Sequence, residues 1–230
     1  AGQERLQQSR VLVVGLGGLG CPAALYLAAA GVGELVLVDG DAVELSNLQR
    51  QIAHFEVDIG ANKARSAAAS IAALNPQVKL EILEQQLIES AMPALISRVD
   101  LVLDATDNYP VRFALNRACI AAGVPLVSAA AVRSEGQLAV FDPARGGPCY
   151  RCLYVEGEEQ TALSCSESGV LAPLVGVVGS LQAMEALKVL SGYGESLLGK
   201  LLVLDLRSME FRQLVLSARA DCPACSHLQR

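Results

Sequence analysis

Apolar runs alternate with helix-forming segments along the first part of this sequence. Short unbroken apolar runs are typical of strands buried on both faces, and strict alternation is typical of half-buried strands. Strands are therefore predicted at residues 11–14, 34–38, 78–83, 100–105 and 124–131. Helices are predicted at 21–30, 62–74, 90–97 and 110–122, and a loop with short helical turns at 40–60. This alternation predicts an α/β fold with a doubly wound, mostly parallel sheet that binds its ligand at the carboxyl ends of the strands.

The pattern changes after residue 131. A strand at 137–141, a turn at 149–152 and a polar loop at 156–168 precede a predicted helix at 173–190. Two β-type runs at 200–206 and 211–216 are expected to pair as an antiparallel hairpin through 207–210. The sequence shows neither repeats nor a low-complexity linker, so a single domain over residues 1–230 is expected.

Composition narrows the classes of partner. The 230 residues are 52% hydrophobic and carry a formal net charge of −6, and such an acidic chain lacks the basic face that nucleic acid needs. The longest apolar stretch, 169–179, is too short to cross a bilayer and predicts a buried helix, so no membrane partner is expected. The polar residues 3–10 show no apolar core of a signal peptide, which favours a cytoplasmic location.

The first predicted strand leads into a glycine motif. Gly15, Gly17 and Gly20 match G-x-G-x-x-G at a strand-to-helix turn, where phosphates can approach main-chain amides. Asp39 ends the second strand, at the position of an acidic side chain that accepts hydrogen bonds from ribose hydroxyls. These residues predict a Rossmann-like nucleotide site, and they fit an NAD-dependent oxidoreductase as well as other nucleotide enzymes.

Two cations after Asp39 favour a triphosphate ligand. Arg50 and Lys63 reach the glycine turn if the intervening loop folds over it, and such charges stabilise phosphates and a pyrophosphate leaving group. Asn47 could add a hydrogen bond. Taken as an isolated pair, these two cations are better explained as solvated surface charges.

A carboxylate at the same sheet edge favours a phosphate site over the surface-charge explanation of Arg50 and Lys63. Asp107 follows the strand that ends at Ala105, so it faces the crevice that holds the glycines. A carboxylate beside phosphates is unfavourable without a cation between them, which makes Asp107 a predicted Mg²⁺ ligand. Asp104 is a weaker second candidate, with a core or capping role as the alternative.

Four of the seven cysteines form two C-x-x-C pairs. Cys149 with Cys152, and Cys222 with Cys225, provide the four thiolates that a tetrahedral structural Zn²⁺ prefers. Four unrelated buried thiols are the alternative. Four protein ligands leave no open position for substrate, so this zinc is expected to be structural and to tie the C-terminal tail to the domain.

Several motifs, taken together and in this order, resemble one family. GLGGLG, VDGDAVELSNLQRQ, NKA, ATDN, CYRC and GVVGSLQAMEALK occur at 15–20, 38–51, 62–64, 105–108, 149–152 and 176–188. The chain resembles the MoeB/ThiF family of E1-like enzymes, which adenylate the C-terminal glycine of ubiquitin-like sulfur-carrier proteins. The resemblance implies that the carrier carboxylate attacks the α-phosphate of ATP, which releases pyrophosphate and leaves an acyl-adenylate. The implied cofactors are ATP, Mg²⁺ and Zn²⁺.

The resemblance also implies roles for single residues. It makes Asp39 the ribose ligand, assigns Arg50 and Lys63 to the phosphates, and makes Asp107 the residue that organises Mg²⁺ and is needed for catalysis. The implied nucleotide-binding set comprises Gly15, Gly17, Gly18, Gly20, Asp39, Asp41, Asn47, Arg50, Gln51, Lys63, Asp107 and Asn108. The nucleotide-binding half is expected at about 1–135 and the carrier-binding, zinc-bearing half at about 136–230.

The remaining cysteines and the histidines are weaker candidates. Cys165 matches a cysteine that some ThiF-like enzymes use to take the acyl group, and a bystander cysteine is the alternative. Cys21 and Cys119 are predicted to be small core residues. His54 and His227 are the only histidines, so no imidazole-based triad is supported, and His227 is taken as part of the tail.

The resemblance has one gap. Family members begin with an arginine-containing segment before GQE, and in their dimers that arginine reaches the partner's ATP. This sequence starts at AGQE. If that segment is truncated, activity is expected to be impaired, because a cation supplied in trans contributes orders of magnitude in rate. Arg5 and Arg10 cannot be assumed to replace it.

The expected partners are a ubiquitin-like carrier of MoaD or ThiS type, a second copy in a homodimer, and a separate persulfide sulfur donor. The acidic residues in 156–160 are expected to help admit or cover the carrier tail. Two other functions stay open: an NAD-dependent oxidoreductase, and a non-catalytic scaffold that binds a ubiquitin-like protein.

Overall fold

The computed structural model describes residues 1–157 and 169–228. Its strands are β1 (Arg10–Val14), β2 (Glu34–Val38), β3 (Lys79–Leu83), β4 (Leu101–Asp104), β5 (Leu126–Val132), β6 (Glu135–Phe141), β7 (Lys200–Asp205) and β8 (Glu210–Val215). Its α-helices are α1 (Gly2–Gln8), α2 (Gly20–Ala29), α3 (Lys63–Leu74), α4 (Met92–Ile96), α5 (Tyr109–Ala122), α6 (Tyr150–Leu153) and α7 (Ala172–Ser191). Short 3₁₀ turns lie at Leu45–Asn47, Glu56–Asp58, Glu89–Ala91, Pro143–Arg145 and Ser226–Leu228.

The eight strands form one mixed sheet in the order β3-β2-β1-β4-β5-β6-β7-β8. Strands β1 to β5 pair in parallel, and β6, β7 and β8 extend the sheet by antiparallel pairing. The chain winds outward from β1 to β3 and then returns to place β4 beside β1. A crevice therefore opens at the carboxyl ends of β1 and β4, where such sheets bind their ligands.

The alternation of side chains in β1 builds a core on each face of the sheet. Val11 and Val13 pack with α1, α2, α3 and α7, whereas Leu12 and Val14 pack with α4, α5 and α6. All four valine and leucine side chains are buried. This arrangement explains why the strand is apolar throughout and does not alternate.

Local signals set the ends of two helices beside the crevice. The Asn62 side chain accepts from the amides of Ala64 and Arg65 and so begins α3. Asn108 accepts from the amide of Val111 at the start of α5, and Gly123, with a φ of +66°, ends that helix.

The predicted strands and the long helices are confirmed, including the antiparallel hairpin of β7 and β8. The helix predicted at 90–97 is a 3₁₀ turn followed by the short α4, and the turn predicted at 149–152 is the one-turn helix α6 with Cys149 at its N-cap. Helix α1 was not predicted, because only Leu6 among its residues is buried and the segment has little apolar pattern. Most of the predicted loop at 156–168 lies outside the described residues.

Helix α7 is the one element of the described chain that is long and apolar enough to cross a membrane, judged by length and composition alone. A core helix has the same composition. Here α7 packs against α1, α2, β5 and β6 and buries side chains such as Leu174 and Val178 in the core.

Candidate functional site

A cavity of about 440 Å³ occupies the crevice at the ends of β1 and β4, a size typical of small-molecule sites. It is lined by the glycine turn, the end of β2, the segment that carries Asn47 to Lys63, and the residues after β4. Among the predicted site residues, those that line it are Gly15, Gly17, Gly18, Asp39, Asp41, Asn47, Arg50, Gln51, Lys63, Asp107 and Asn108. The predicted site residues that meet around this space thus come from four separate chain segments.

Gly15 and Gly20 are required by the backbone of the glycine turn. Gly15 has a φ of +90°, and a Cβ atom there would lie 2.9 Å from the Ala105 carbonyl oxygen. A Cβ atom at Gly20 would lie 1.8 Å from the carbonyl oxygen of Gly15. Gly20 is buried and does not line the cavity, so its place in the nucleotide-binding set stays a prediction. It lets α2 pack closely on the turn.

Asp39 joins the end of β2 to the glycine turn. Its Oδ2 accepts from the Leu16 amide at 2.7 Å, and its Oδ1 accepts from the Asp41 amide at 2.8 Å. Each carboxylate oxygen keeps a second lone pair, which suits a ribose hydroxyl. Burial raises the pKa of Asp39 above its ordinary value, while the two amides and nearby Lys63 act in the opposite direction.

Lys63 lies at the start of α3 with its ammonium group beside the cavity. Its Nζ is 3.0 Å from Asp41 Oδ2, and Gln86 Nε2 donates to the other oxygen of Asp41 at 3.0 Å. The lysine side chain is only 10% exposed. Asp41 therefore holds the lysine in place, and Gln86 is a cavity residue that the sequence analysis missed because no motif marks it.

Arg50 is less constrained than Lys63. Its Nη1 donates to the Ser46 carbonyl at 3.2 Å, and among the described residues it forms no ion pair. Beside it, Gln51 is buried, and its Oε1 has no partner in the part of the chain that the structure describes. The cavity wall thus offers an unpaired cation and an unused acceptor to a ligand.

Asp107 lines the cavity just beyond β4, which lies on the other side of β1 from β2. Its side chain is exposed, and within residues 1–157 and 169–228 it makes no hydrogen bond or ion pair. An uncommitted carboxylate in a cavity that also holds two cations fits a magnesium ligand.

Asp104 instead supports the Asp107 loop from inside the core. It is fully buried and accepts from the Thr106 amide at 3.1 Å, from Thr106 Oγ1 at 2.7 Å and from Ser128 Oγ at 2.7 Å. The capping role proposed as its alternative is therefore confirmed, and its weaker prediction as a magnesium ligand is wrong.

Arg112 is a second support that the sequence analysis missed. Its buried guanidinium donates to the carbonyl oxygens of Thr106 and Ala129 and lies 3.8 Å from Asp104. The sequence of α5 contains two arginines, and no motif marks Arg112 as the one with a role at the site. Only the packing of α5 under the β4 loop shows that it holds the residues before Asp107.

The two C-x-x-C pairs meet at one end of α5. Adjacent sulfurs are separated by 3.6 Å (Cys149–Cys222), 3.6 Å (Cys152–Cys225) and 3.9 Å (Cys149–Cys152). Zinc–sulfur bonds of about 2.3 Å in a tetrahedron place sulfurs about 3.8 Å apart. The cluster therefore could hold Zn²⁺.

Hydrogen bonding and burial agree with a metal at the cysteine cluster. The amides of Cys149 and Arg219 donate to Cys152 Sγ at 3.5 and 3.4 Å. Burial raises the pKa of the Cys149 thiol to about 11, and a bound cation would favour its thiolate form.

The other cysteines and His227 stand apart from both sites. Cys21 and Cys119 are buried, as predicted for core residues. His227 is exposed and does not belong to the cysteine cluster. Cys165 lies outside the described residues, so its predicted role stays a prediction.

Comparisons with known proteins agree with this geometry. Residues 1–224 match the model of the ThiF family. The molybdopterin-synthase adenylyltransferase of Escherichia coli strain K12 is 52% identical over 225 residues, which are 97% of this chain and 90% of that protein. The sulfur carrier protein ThiS adenylyltransferase of the same strain is 47% identical over 224 residues, 97% of this chain and 88% of that protein. The crystal structure of E. coli MccB with ATP superposes with a TM-score of 0.87 at 22% identity, over 97% of this chain and 68% of that one, which shows a shared fold.

Proposed function

This chain belongs to the ThiF family and is an adenylyltransferase, and from this premise we propose that it activates a ubiquitin-like sulfur-carrier protein. The proposed reaction joins the C-terminal glycine carboxylate of the carrier to the α-phosphate of ATP. Pyrophosphate leaves and an acyl-adenylate forms, ready for conversion to a thiocarboxylate. The carrier is of MoaD or ThiS type, which connects the enzyme to molybdopterin or thiamin synthesis.

The observation that supports this proposal most strongly is the distribution of charge around the cavity. Lys63, the unpaired Arg50 and the uncommitted Asp107 line the same cavity. A dinucleotide redox cofactor requires no pair of cations together with a free carboxylate, whereas a triphosphate with Mg²⁺ does. The NAD-dependent alternative is therefore less well supported.

In the proposed mechanism the protein acts by positioning and by stabilising charge. Asp39 would accept hydrogen bonds from the ribose, and the glycine turn would present amides to the phosphates. Arg50 and Lys63 would stabilise the negative charge that develops as pyrophosphate leaves. Asp107 fits a Mg²⁺ ion, which when bound supplies further charge neutralisation on the phosphates.

The two halves of the chain have separate roles in this proposal. Residues at about 1–135 bind ATP, and residues at about 136–230 bear the zinc cluster and receive the carrier, all within one adenylation domain. A homodimer, a separate persulfide donor and a cytoplasmic location complete the proposal. Cys165 would be the acyl-accepting thiol if a covalent intermediate forms.

Mass spectrometry of carrier proteins tests the function directly. After incubation with the protein, ATP and Mg²⁺, we expect the mass of AMP to be added to a MoaD-type carrier, to a ThiS-type carrier, or to both. Modification of the MoaD-type carrier indicates molybdopterin synthesis, and modification of the ThiS-type carrier indicates thiamin synthesis. Modification of both indicates a shared activating enzyme. If ATP binds and neither carrier gains AMP, carrier adenylation by this chain is contradicted and the scaffold alternative is favoured. A carrier without its terminal glycine is the negative control.

Removal of either cation should slow adenylation with little effect on folding. We expect Arg50→Gln and Lys63→Gln each to lower kcat/KM for ATP about 10²-fold, because one charge that stabilises the leaving group is lost. Arg65→Gln is the matched control, since Arg65 lies on α3 with Lys63 but is exposed and pairs with Glu84. Equal losses in all three variants would show that general charge, not these positions, matters.

A further inference from the structure

His54 lies against the back of the glycine turn, where the proposed reaction gives it no role. It is 4% exposed and does not line the cavity. Its Nε2 is 2.8 Å from the Leu16 carbonyl oxygen, and its Nδ1 is 2.8 Å from Ser66 Oγ on α3. A buried imidazole with both nitrogens in contact with partners is held in one orientation.

Leu16 is the residue between the first two glycines of the motif. Its amide donates to Asp39 Oδ2 at 2.7 Å, and its carbonyl oxygen accepts from Nε2 of His54 at 2.8 Å. The amide and the carbonyl of Leu16 therefore both bond to side chains from other segments. Asp39 follows β2, and His54 lies between the 3₁₀ turns Leu45–Asn47 and Glu56–Asp58. Both contacts hold the Leu16 peptide, and Cys21 Sγ also donates to the Leu16 carbonyl oxygen at 3.2 Å.

Hydrogen-bond counting places a hydrogen on Nε2 of His54, because the Leu16 carbonyl oxygen only accepts. The single hydroxyl proton of Ser66 can go to Nδ1 of His54 or to Asp58 Oδ2, which is 2.9 Å away. If it goes to Asp58, Nδ1 must carry a hydrogen as well and the ring is charged. In the neutral ring, Nδ1 accepts from Ser66, and Asp58 Oδ2 keeps the Phe55 amide as its donor at 2.9 Å.

The surroundings of the ring favour this neutral form. Burial lowers the pKa of His54 below its ordinary value, and Lys63 acts in the same direction, whereas the Leu16 carbonyl, Asp39 and Asp58 oppose it. Cys21 Sγ, 3.5 Å from Nε2, is the remaining titratable group in contact with the ring.

We infer that His54 is a positioning residue for ATP binding: its Nε2–H tautomer, oriented by Ser66, fixes the Leu16 peptide and thereby the glycine turn and Asp39. The inference rests on the proposed function, because it assigns a purpose to the turn as an ATP site. His54 itself touches no ligand in this scheme. Its effect is on ATP affinity and not on the chemical step.

ATP affinity of variants tests the inference. We expect His54→Leu to weaken ATP binding about tenfold, about 1.4 kcal/mol, with kcat at saturating ATP within about twofold of the parent protein. His54→Gln should recover most of the affinity, because its amide N–H can replace the Nε2 donor. Ser66→Ala keeps the ring but removes the donor to Nδ1, so it should weaken binding by a smaller factor.

Ser70→Ala is the matched control. Ser70 lies one turn after Ser66 on α3, and its hydroxyl donates at 2.5 Å to the carbonyl oxygen of Ala53 without touching the imidazole. It should leave ATP affinity unchanged. Equal affinities for the parent protein and a folded His54→Leu variant would overturn the inference, as would equal losses in Ser66→Ala and Ser70→Ala.

The tautomer can be observed without any change to His54. Nitrogen-15 NMR of the parent protein contains signals from two histidines only, and a His227→Gln variant assigns them. We expect His54 to show a protonated Nε2 and an unprotonated Nδ1 at neutral pH. A protonated Nδ1, in a neutral or a charged ring, would overturn the inference. Failure of the parent protein to bind ATP would contradict the proposed function, while this measurement would still test the contact itself.

Discussion

Asp107→Ala is expected to lower the rate of carrier adenylation about 10³-fold while the protein stays folded. The large effect follows from the position of Asp107, an uncommitted carboxylate that lines the same cavity as Arg50 and Lys63. Without it, the site loses its proposed hold on the cation that neutralises the phosphates. Its side chain is exposed and makes no hydrogen bond or ion pair among the described residues, so the change in the free energy of unfolding should stay within about 0.5 kcal/mol.

The rate is measured from AMP transfer to the carrier, and folding is measured from the thermal midpoint. Asp107→Asn keeps the size of the side chain and should lose nearly as much activity, since the charge is the property in use. Glu195→Gln, which removes an exposed carboxylate far from the cavity, should leave the rate unchanged. Normal turnover by Asp107→Ala would remove this residue from the mechanism.

Loss of one cysteine ligand is expected to have the largest effect on stability. We expect Cys222→Ser to abolish stoichiometric zinc binding, because the remaining three sulfurs no longer complete the tetrahedron. At free zinc a thousandfold above its Kd, binding contributes about 4 kcal/mol to the free energy of unfolding. In a chain of this size that corresponds to a fall of about 8–16 °C in Tm.

Metal analysis and thermal unfolding check this together. A strong chelator should lower the Tm of the parent protein by a similar amount and have little effect on Cys222→Ser. Cys119→Ala is the matched control, because Cys119 is buried in α5 but lies outside the cluster, and its zinc content should be unchanged. A parent protein that binds no zinc, with a Tm insensitive to chelation, would contradict the prediction.

A loss of zinc should also reduce the activity of the nucleotide site. Tyr150 on α6 lies between Cys149 and Cys152, and its ring packs against Phe113 and Phe141 at centroid distances of 5.1 and 5.7 Å. Its amide donates to Asn116 on α5. The cluster therefore fixes the same face of α5 that carries Arg112, so we expect reduced adenylation alongside the loss of stability.

Several features of the fold could be read from local sequence. The apolar runs of β1 and β2 predict buried parallel strands, because a strand covered on both faces has no polar side. The glycine spacing predicts the turn after β1, because only glycine permits the φ of +90° found at Gly15. The C-x-x-C spacing places two sulfurs on one short turn, a property of the local backbone alone.

Other features depended on contacts between distant segments. The sequence does not show that Gly20 is needed to pack α2 on the glycine turn, or that Arg112 lies under the loop of Asp107, because both roles arise only when the helices dock on the sheet. Cys149 and Cys222 are 73 residues apart in the chain, and the joining of their pairs is a tertiary contact.

The sequence by itself determined the order of strands and helices, the glycine turn and the residue types available for chemistry, because these follow from local periodicity and backbone preference. The tertiary structure alone decided which of those residues meet. It brought Arg50, Lys63 and Asp107 to one cavity, committed Asp104 to the core and placed His54 behind the glycine turn. The packing of the helices and the crossover of the strands set which side chains become partners. The distances between those side chains cannot be read from a single sequence without its fold.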